Sequence, residues 1–460
     1  MSTAFRVAII GAGPSAFYAA DQLLRQTELE FSVDVYDRLP TPYGLVRAGV
    51  APDHQKIKTV TKSFAEIAAH PRFRFFGFVE FGTDVTLSDL GRHYHQVLFA
   101  TGAQSDKRMG IPGEDLVGSH PATEFVAWYN GHPAYSELQF DLDCERVAIV
   151  GVGNVAIDVA RILCLSPDEL ARTDMADHAI EALSRSRVRE VHLLGRRGLA
   201  QAAFTNPEIK ELGDLEDADI FVRPEEAELD LVSLEFVEAS GDRALKRKVD
   251  LIQSYAGREP VGRSRKLVLR FLVSPLEIVG DARDHVASLR LGKNTLTKND
   301  AGSIAARPTG ETEDLAVGLV LRSVGYRGVP LPGVPFNDRW GVILNQAGRI
   351  LDPATNEAMA GLYTTGWIKR GPSGVIGTNK PDAAETVACL VEDARAGKTL
   401  EPAEPDAQSA ADLVHARQPR AVSFADWCRL DALEVRRGQQ QGRPRVKFTS
   451  VEEMLGALQV

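Results

Sequence analysis

The sequence predicts an α/β fold of two Rossmann-like domains, one inserted into the other, and two observations carry that prediction. The first is the apolar run Val7-Ala8-Ile9-Ile10, which passes at once into Gly11-Ala12-Gly13-Pro14-Ser15-Ala16. The second is the return of this pattern at Arg146-Val-Ala-Ile-Val150, followed by Gly151-Val152-Gly153-Asn154-Val155-Ala156. The turns start 140 residues apart (151 minus 11), so each half carries its own dinucleotide-binding unit and two separate nucleotide sites are expected.

In the first unit the run over 7–10 is too short for a helix and reads as a buried strand. A helical pattern follows from Ser15 to about Gln26. The alternation from Phe31 to Asp37 predicts a second strand ending in an acid. Gly11 makes the tight turn, Gly13 lets the backbone approach a pyrophosphate, and Ala16 keeps the helix close to the strand. The helix start offers N–H groups and partial positive charge to phosphates, and Asp37 can accept from ribose hydroxyls. The proline-glycine segment from Leu39 to His54 is too irregular for a regular element and too apolar for a solvated loop, so it is expected to pack over a ligand. A helix over about 55–69, a strand at 72–76, another near Val79 and a buried strand over 96–102 complete this part. His93 and His95 alternate on one predicted strand face, but no nearby cysteine or acid completes a metal set, and a structural role is expected.

In the second unit a helix runs through Ile157–Leu163, and Val188–Gly195 is the matching second strand. Its terminal acid is replaced by Arg196 and Arg197. A carboxylate would repel a 2′-phosphate, whereas paired guanidiniums bind one bidentately, so this site is expected to prefer NADP over NAD. The charged residues 213–248 end in Arg243, Lys246, Arg247 and Lys248, and Arg258, Arg263, Arg265 and Lys266 precede a strand over 267–273. Such groups are more often solvated faces than docking sites. A buried strand over 318–325 returns the chain. Gly371, Gly374 and Gly377 then free the backbone to lie against a flat ring, and Pro381 suits the first turn of a helix to about Ala396. Trp367 reads equally as a ring contact or a core aromatic. A linker near residues 400–408 leads to a helical tail from about 408 with two short helices, the last capped by Ser450 with Glu453. The expected boundaries are 1–103 with 326–460 for the outer domain and 104–325 for the inserted one.

The composition bounds the rest. A chain of 460 residues with 44% apolar content supports two or three domains and a large core. The net charge of -10 argues against general nucleic-acid binding. The four cysteines, at 144, 164, 389 and 428, show no disulfide or metal spacing and read as reduced thiols. The first strand begins by Phe5, and no run of about 20 apolar residues occurs, so a cytoplasmic protein without a membrane anchor is expected.

Taken together, GAGPSAFYAA, LPTPYGLVRAGVAPDH, GVGNVAIDVARIL, GRRGLAQAAFTNPEIKEL and GWIKRGPSGVIGTNK resemble the adrenodoxin reductase family, including bacterial ferredoxin-NADP reductases of that type. The resemblance runs from about residue 5 to the C-terminus. It implies two dinucleotide-binding domains, for FAD and NADP, with the NADP domain inserted in the FAD domain. It places FAD on the first turn, with Ser15, Asp37, Leu45, Val79, Trp367 and Gly374-Val375-Ile376 as contacts, and Lys107 where relatives can carry arginine. It places NADP on the second, with Val152, Gly153, Asn154, Val155, Arg196, Arg197, Glu208 and Gly374. His54, Asp158 and Glu208 match residues near the nicotinamide, with positioning and proton handling implied. The implied reaction passes a hydride from NADPH to the flavin and then single electrons to a ferredoxin-type iron-sulfur protein. That partner is usually small and acidic, which favours docking at Arg243, Lys246, Arg247, Lys248, Arg263, Arg265 and Lys266. Two alternatives stay open: an NADPH-dependent electron-input subunit like the small subunit of glutamate synthase, and a non-catalytic nucleotide-sensing flavoprotein.

Overall fold

The computed structural model describes residues 4–299 and 302–459. The chain divides into two compact units, residues 1–107 with 325–460, and residues 108–324. The crossings lie at 107/108 and 324/325. The first comes a few residues later than the apolar pattern suggests, because Ser105–Asp106 pairs antiparallel with Tyr326–Arg327 inside the first unit. A Lys107 N–H to Gly325 carbonyl bond of 2.9 Å closes that clamp.

The first unit is built on β1 (Phe5–Ile10), α1 (Pro14–Leu24) and β2 (Phe31–Asp37). Its seven-stranded sheet runs in the order 345–346, 349–351, 358–364, 96–99, β1, β2, 73–77. The strands from 358–364 onward are parallel, with Ile10 level with Tyr36 and Phe99. Strands buried on both faces read as continuous apolar runs, which is why β1 shows no alternation. Phe17 of α1 is 1% exposed and stacks on Phe64 at 4.8 Å. The helix expected over 55–69 is two pieces, Gln55–Lys58 and Val60–Ala68. No strand forms at Val79. Phe78 turns through φ 58°, and the Val79 N–H bonds the Asp37 carbonyl at 2.9 Å. His93 and His95 do not share a strand face. His93 ends the helix Leu87–His93, and His95 Nδ1 accepts the Arg6 N–H at 3.0 Å. The tail carries three helices instead of two, Ala407–Arg417, Phe424–Gln440 and Val451–Leu458, and Ser450 Oγ caps the last through the Glu453 N–H. The linker before them is strapped down: Arg6, buried beside Asp34, donates to the Pro405 carbonyl at 3.3 Å.

The second unit repeats the plan with β3 (Arg146–Val150), α2 (Asn154–Cys164) and β4 (Glu190–Leu194). Next in the chain come α3 (Asn206–Gly213), α4 (Arg243–Ala256) and β5 (Arg265–Arg270). Its six-stranded sheet, all parallel, runs in the order 119–121, 319–322, β3, β4, β5, 218–222. The single strand expected over 267–273 is β5 followed by a break, after which β6 (Val273–Gly280), β7 (Val286–Lys298) and β8 (Ile304–Ala316) form an antiparallel sheet. Val273, Ile278, Leu289 and Leu291 of that sheet pack in one core with Val150 and Leu194. Among the described residues no helix is long and apolar enough to cross a membrane.

Candidate functional site

Each unit presents a glycine turn at the carboxyl end of a central strand, β1 in the first and β3 in the second, where the strand next in the chain lies on one side and a later, returning strand on the other. Ligands of open α/β sheets bind at such switch points. In the first unit Gly11 has φ 100°, and a Cβ there would lie 2.6 Å from the Ala100 carbonyl oxygen, so only glycine fits. Gly13 differs. Its backbone is extended, with φ -83°, and a Cβ would meet nothing within 4 Å among the described residues. The fold does not require glycine there, and the bare backbone leaves room for a ligand to lie against it. No side chain caps α1; Pro14 has no N–H, and those of Ala16 and Phe17 bond the Gly13 carbonyl, so the N–H that α1 can offer a ligand in its first turn is that of Ser15. Asp37 sits at the rim. Its Oδ2 accepts the Ala12 N–H at 2.8 Å and its Oδ1 the Leu39 N–H at 2.9 Å. Burial pushes the carboxyl above its ordinary range, and those two N–H groups pull it part of the way back.

The segment expected to cover a ligand runs beside this turn. The Tyr43 N–H bonds the Ala12 carbonyl at 2.8 Å, and a Cβ on Gly44 would lie 3.0 Å from Gly13 Cα. Leu45 begins the short helix Leu45–Ala48, and Val79 is buried beneath Asp37. Ser15 on α1 packs against Gly366, where a Cβ would come within 2.5 Å of the Ser15 hydroxyl. Trp367 follows, half-buried, its ring centroid 5.4 Å from Tyr326 and its Nε1 donating to the Ser373 carbonyl at 3.2 Å. It is therefore not a core aromatic. Gly374 and Val375 are exposed and Ile376 is half-buried in the loop that follows. Asp382, which the sequence reading passed over, ties this loop down by accepting the Gly366 N–H at 2.5 Å and the Thr365 hydroxyl at 3.0 Å. Lys107 is exposed at the β clamp.

The second turn has the same logic. Gly151 has φ 133°, and its Cβ would run into the Ser323 carbonyl. Gly153 is extended, φ -106°, with nothing within 4 Å of a Cβ among the described residues. α2 has no side-chain cap, because its N-cap is Gly153, and Asn154 Oδ1 accepts the Thr205 N–H at 3.0 Å. The Val152 carbonyl accepts the N–H groups of Ala203 and Phe204 at 2.9 and 3.1 Å, and Val155 is half-buried on the first turn of α2. Past β4, Arg196 and Arg197 are both exposed. Both turns thus fit a dinucleotide, the first with an acid for ribose hydroxyls and the second with two guanidiniums for a phosphate.

Asp158 on α2 and Glu208 in the first turn of α3 are drawn to one buried cation that sequence reading missed. Arg161, with a side chain 4% exposed, bonds Asp158 at 2.8 Å and lies 3.8 Å from Glu208 and 3.4 Å from Glu211. The spacing Asp158 to Arg161 puts both on one helix face and was the available signal. His54 precedes the helix Gln55–Lys58 in the first unit.

The basic residues do not form one surface. Arg243, Lys246 and Arg247 are exposed on α4. Lys248 turns inward to the Ala202 carbonyl, and burial lowers its pKa. Arg265 is 8% exposed and bonds Asp217 at 2.7 Å. Arg263 donates to the Ala218 carbonyl at 3.1 Å, and Lys266 lies over the Phe221 ring at 4.7 Å. The second basic group therefore braces strand ends, its long side chains laid along the sheet edge.

The family profile described as pyridine nucleotide-disulphide oxidoreductase matches residues 5–260. The chain is 48% identical over 459 residues to NADPH-ferredoxin reductase FprA of Mycobacterium tuberculosis (strain ATCC 25618 / H37Rv), with 98% of both chains covered. It is 41% identical to mitochondrial NADPH:adrenodoxin oxidoreductase of Salvelinus fontinalis, over 98% of this chain and 90% of the other. The solved structure of Mycobacterium tuberculosis FprA in complex with NADPH matches with a TM-score of 0.94 at 46% identity, covering 100% of both chains. The duplicated glycine turns, the acid on one and the arginines on the other, are thus those of a pyridine nucleotide-disulphide oxidoreductase, and the chain belongs to that family, in its adrenodoxin reductase branch.

Proposed function

We propose that the chain is an FAD-dependent NADPH:ferredoxin oxidoreductase, with FAD on the turn Gly11–Ala16 and NADP on the turn Gly151–Ala156. The observation that carries the assignment of sites is the asymmetry of two otherwise matching turns, Asp37 ending β2 while Arg196 and Arg197 follow β4. The unit of residues 1–107 and 325–460 is then the FAD-binding domain and the unit 108–324 the NADP-binding domain. Bound FAD supplies the conversion of a hydride into single electrons for the iron-sulfur acceptor.

The residues of this chain do the binding and orienting. Gly13 and the Ser15 N–H at the start of α1 receive the pyrophosphate, and Asp37 accepts the adenosine ribose hydroxyls. Leu45, Val79 and Lys107 border the same ligand, and Trp367 with Gly374-Val375-Ile376 lies along the ring. Gly153, Asn154 and Val155 take the NADP pyrophosphate, and Arg196 and Arg197 take its 2′-phosphate. Arg161 orients the Asp158 and Glu208 carboxylates of the NADP-binding domain, which position the nicotinamide, and the His54 imidazole of the FAD-binding domain is assigned to proton handling. The acceptor docks on the exposed face of α4 at Arg243, Lys246 and Arg247. Cysteines that are all free suit a reducing compartment, the cytoplasm.

The test is anaerobic titration of the yellow protein with NADPH and, separately, NADH, followed in the flavin absorbance, and then addition of an oxidised ferredoxin. NADPH is expected to bleach the flavin at least about tenfold more efficiently than NADH, since a lost bidentate phosphate contact is worth a factor of that order. Equal response would sink the placement of NADP at Arg196 and Arg197, and an unreduced ferredoxin would sink the activity.

A further inference from the structure

The two guanidiniums after β4 stand on an exposed turn, yet the backbone beneath them is held at every residue. The Gly195 N–H donates to the Arg270 carbonyl at 2.8 Å, and the Gly195 carbonyl accepts the Val273 N–H at 3.0 Å. The Arg197 carbonyl accepts the Leu272 N–H at 3.1 Å. Between them, the Arg196 carbonyl is met by a side chain: Asn294 Nδ2 donates to it at 3.0 Å. Asn294 comes from β7, 98 residues further along the chain, and is 8% exposed. A carbonyl only accepts, so the amide must turn its NH₂ toward Arg196. The same group donates to the Ser274 hydroxyl at 2.8 Å, which uses both of its hydrogens and locks the side chain.

The surrounding backbone is shaped to make this contact. β7 and β8 slip register between Gly292 and Asn294, and Pro308, which has no N–H, stands opposite Asn294. The Asn294 N–H instead donates to the Leu272 carbonyl at 2.8 Å. Leu272 itself sits at φ 57°, uncommon for a branched side chain. It is held there through the Glu226 carboxylate, which takes the Phe271 N–H at 2.8 Å. A register shift, a left-handed leucine and a buried amide thus converge on one turn.

We infer that Asn294 is a positioning residue that sets the preference for NADP over NAD, by fixing the Arg196–Arg197 turn before the 2′-phosphate arrives. Long cationic side chains lose conformational freedom on binding, and a turn already held leaves less to order. The effect is confined to ligands that carry the 2′-phosphate, because nothing else is bound by those guanidiniums. The inference rests on the placement of NADP at Arg196 and Arg197 made above.

The experiment uses the intact flavoprotein and two readouts, binding of 2′,5′-ADP and 5′-AMP by calorimetry, and NADPH against NADH oxidation with ferricyanide as acceptor. Asn294→Leu keeps the size and removes the donor. It is expected to weaken 2′,5′-ADP about tenfold, the order of the cost of immobilising one or two long side chains on binding, and to leave 5′-AMP unchanged. KM for NADPH rises by a similar factor with kcat unaltered, while NADH kinetics do not move. Asn294→Ser, too short to span to the carbonyl, reads the same if the leucine variant folds poorly. Equal losses for both nucleotides, or no loss for either, overturn the inference. Arg196→Ala with Arg197→Ala run alongside separates the two claims: if that pair leaves discrimination intact, the placement of NADP itself is wrong, whereas discrimination lost there and kept in Asn294→Leu removes only the role of Asn294.

Discussion

Gly13 and Gly153 are the residues at which fold and function separate. Both have extended backbones that any side chain can adopt, and the space a methyl would fill holds no protein atom among the described residues. Gly11 and Gly151 are the opposite case, with positive φ and a carbonyl in the way. Alanine at Gly153 is therefore expected to leave the fold intact, and even to stabilise it by about 0.4–1 kcal/mol through the unfolded chain. KM for NADPH should nevertheless rise at least about tenfold, because the added methyl stands where the pyrophosphate lies against the backbone. Urea unfolding beside NADPH titration checks both halves, and an unchanged KM would mean that the pyrophosphate lies elsewhere. Alanine at Gly151 is expected to destabilise the unit. The two glycines look alike in the sequence pattern, and only the neighbours Ala100 and Ser323, which directly follow returning strands, tell their roles apart.

Among the elements, the tail helix Phe424–Gln440 holds the ligand-covering segment in place. Trp427 meets the Tyr43 ring at 5.7 Å and the Arg47 guanidinium at 5.2 Å. Glu434, 0% exposed, takes Arg47 in two bonds of 2.7 and 2.5 Å, the Arg445 guanidinium at 3.1 Å and the Phe448 N–H at 2.9 Å. Burial alone would raise this carboxyl, but Arg47 and Arg445 outweigh it and hold it below its ordinary 4.5. A depressed carboxylate contributes stability that is present above the unfolded value and lost as pH falls through the folded one. The first unit should therefore loosen at acid pH, from about 4.5 downward. Glu434→Gln leaves the Arg47 charge without its counterion and is expected to cost about 3–5 kcal/mol at neutral pH, with faster release of flavin. Its stability should also fall less steeply over the acid range than that of the wild type. Urea melts at pH 7 and pH 4, with flavin fluorescence as the release signal, check this, and parallel pH profiles for the two proteins would remove the role of Glu434. No local pattern announces a pair 387 residues apart, so the sequence reading left the tail as two short helices.

At the scale of the whole molecule the question is how a chain of net charge -10 would attract a partner as acidic as the resemblance implies. Only a local cluster can do so; Arg243, Lys246 and Arg247 form an exposed set on α4, Lys248 and Arg265 are turned into internal bonds, and Arg263, though exposed, is tied to the Ala218 carbonyl. Steering by exposed charges weakens beyond a Debye length of about 10 Å at 0.1 M salt. Reversing the three to glutamate is expected to lower kcat/KM for ferredoxin at least about tenfold at low salt and to flatten its salt dependence. The rate with ferricyanide should not change. Stopped-flow reduction of a ferredoxin across a salt series makes the comparison, and a salt dependence identical to that of the wild type would place docking elsewhere. Arg265→Glu serves as the contrast, since it should unsettle the strand end at Asp217 and lower stability instead.

By itself the sequence determined the two strand, turn and helix units, the acid on one and the arginines on the other, and the order in which the chain leaves and re-enters its first domain. These are local: period, glycine placement and the residue after a strand are set within about 30 neighbours. The tertiary structure alone decided which glycines the fold requires and which it leaves open, which cations face solvent, and which partners hold Asn294, Asp382, Arg161 and Glu434. Each of those is defined by a partner brought near by sheet pairing or helix packing, from as many as hundreds of residues away, and pairing at that range leaves no periodic trace in the chain.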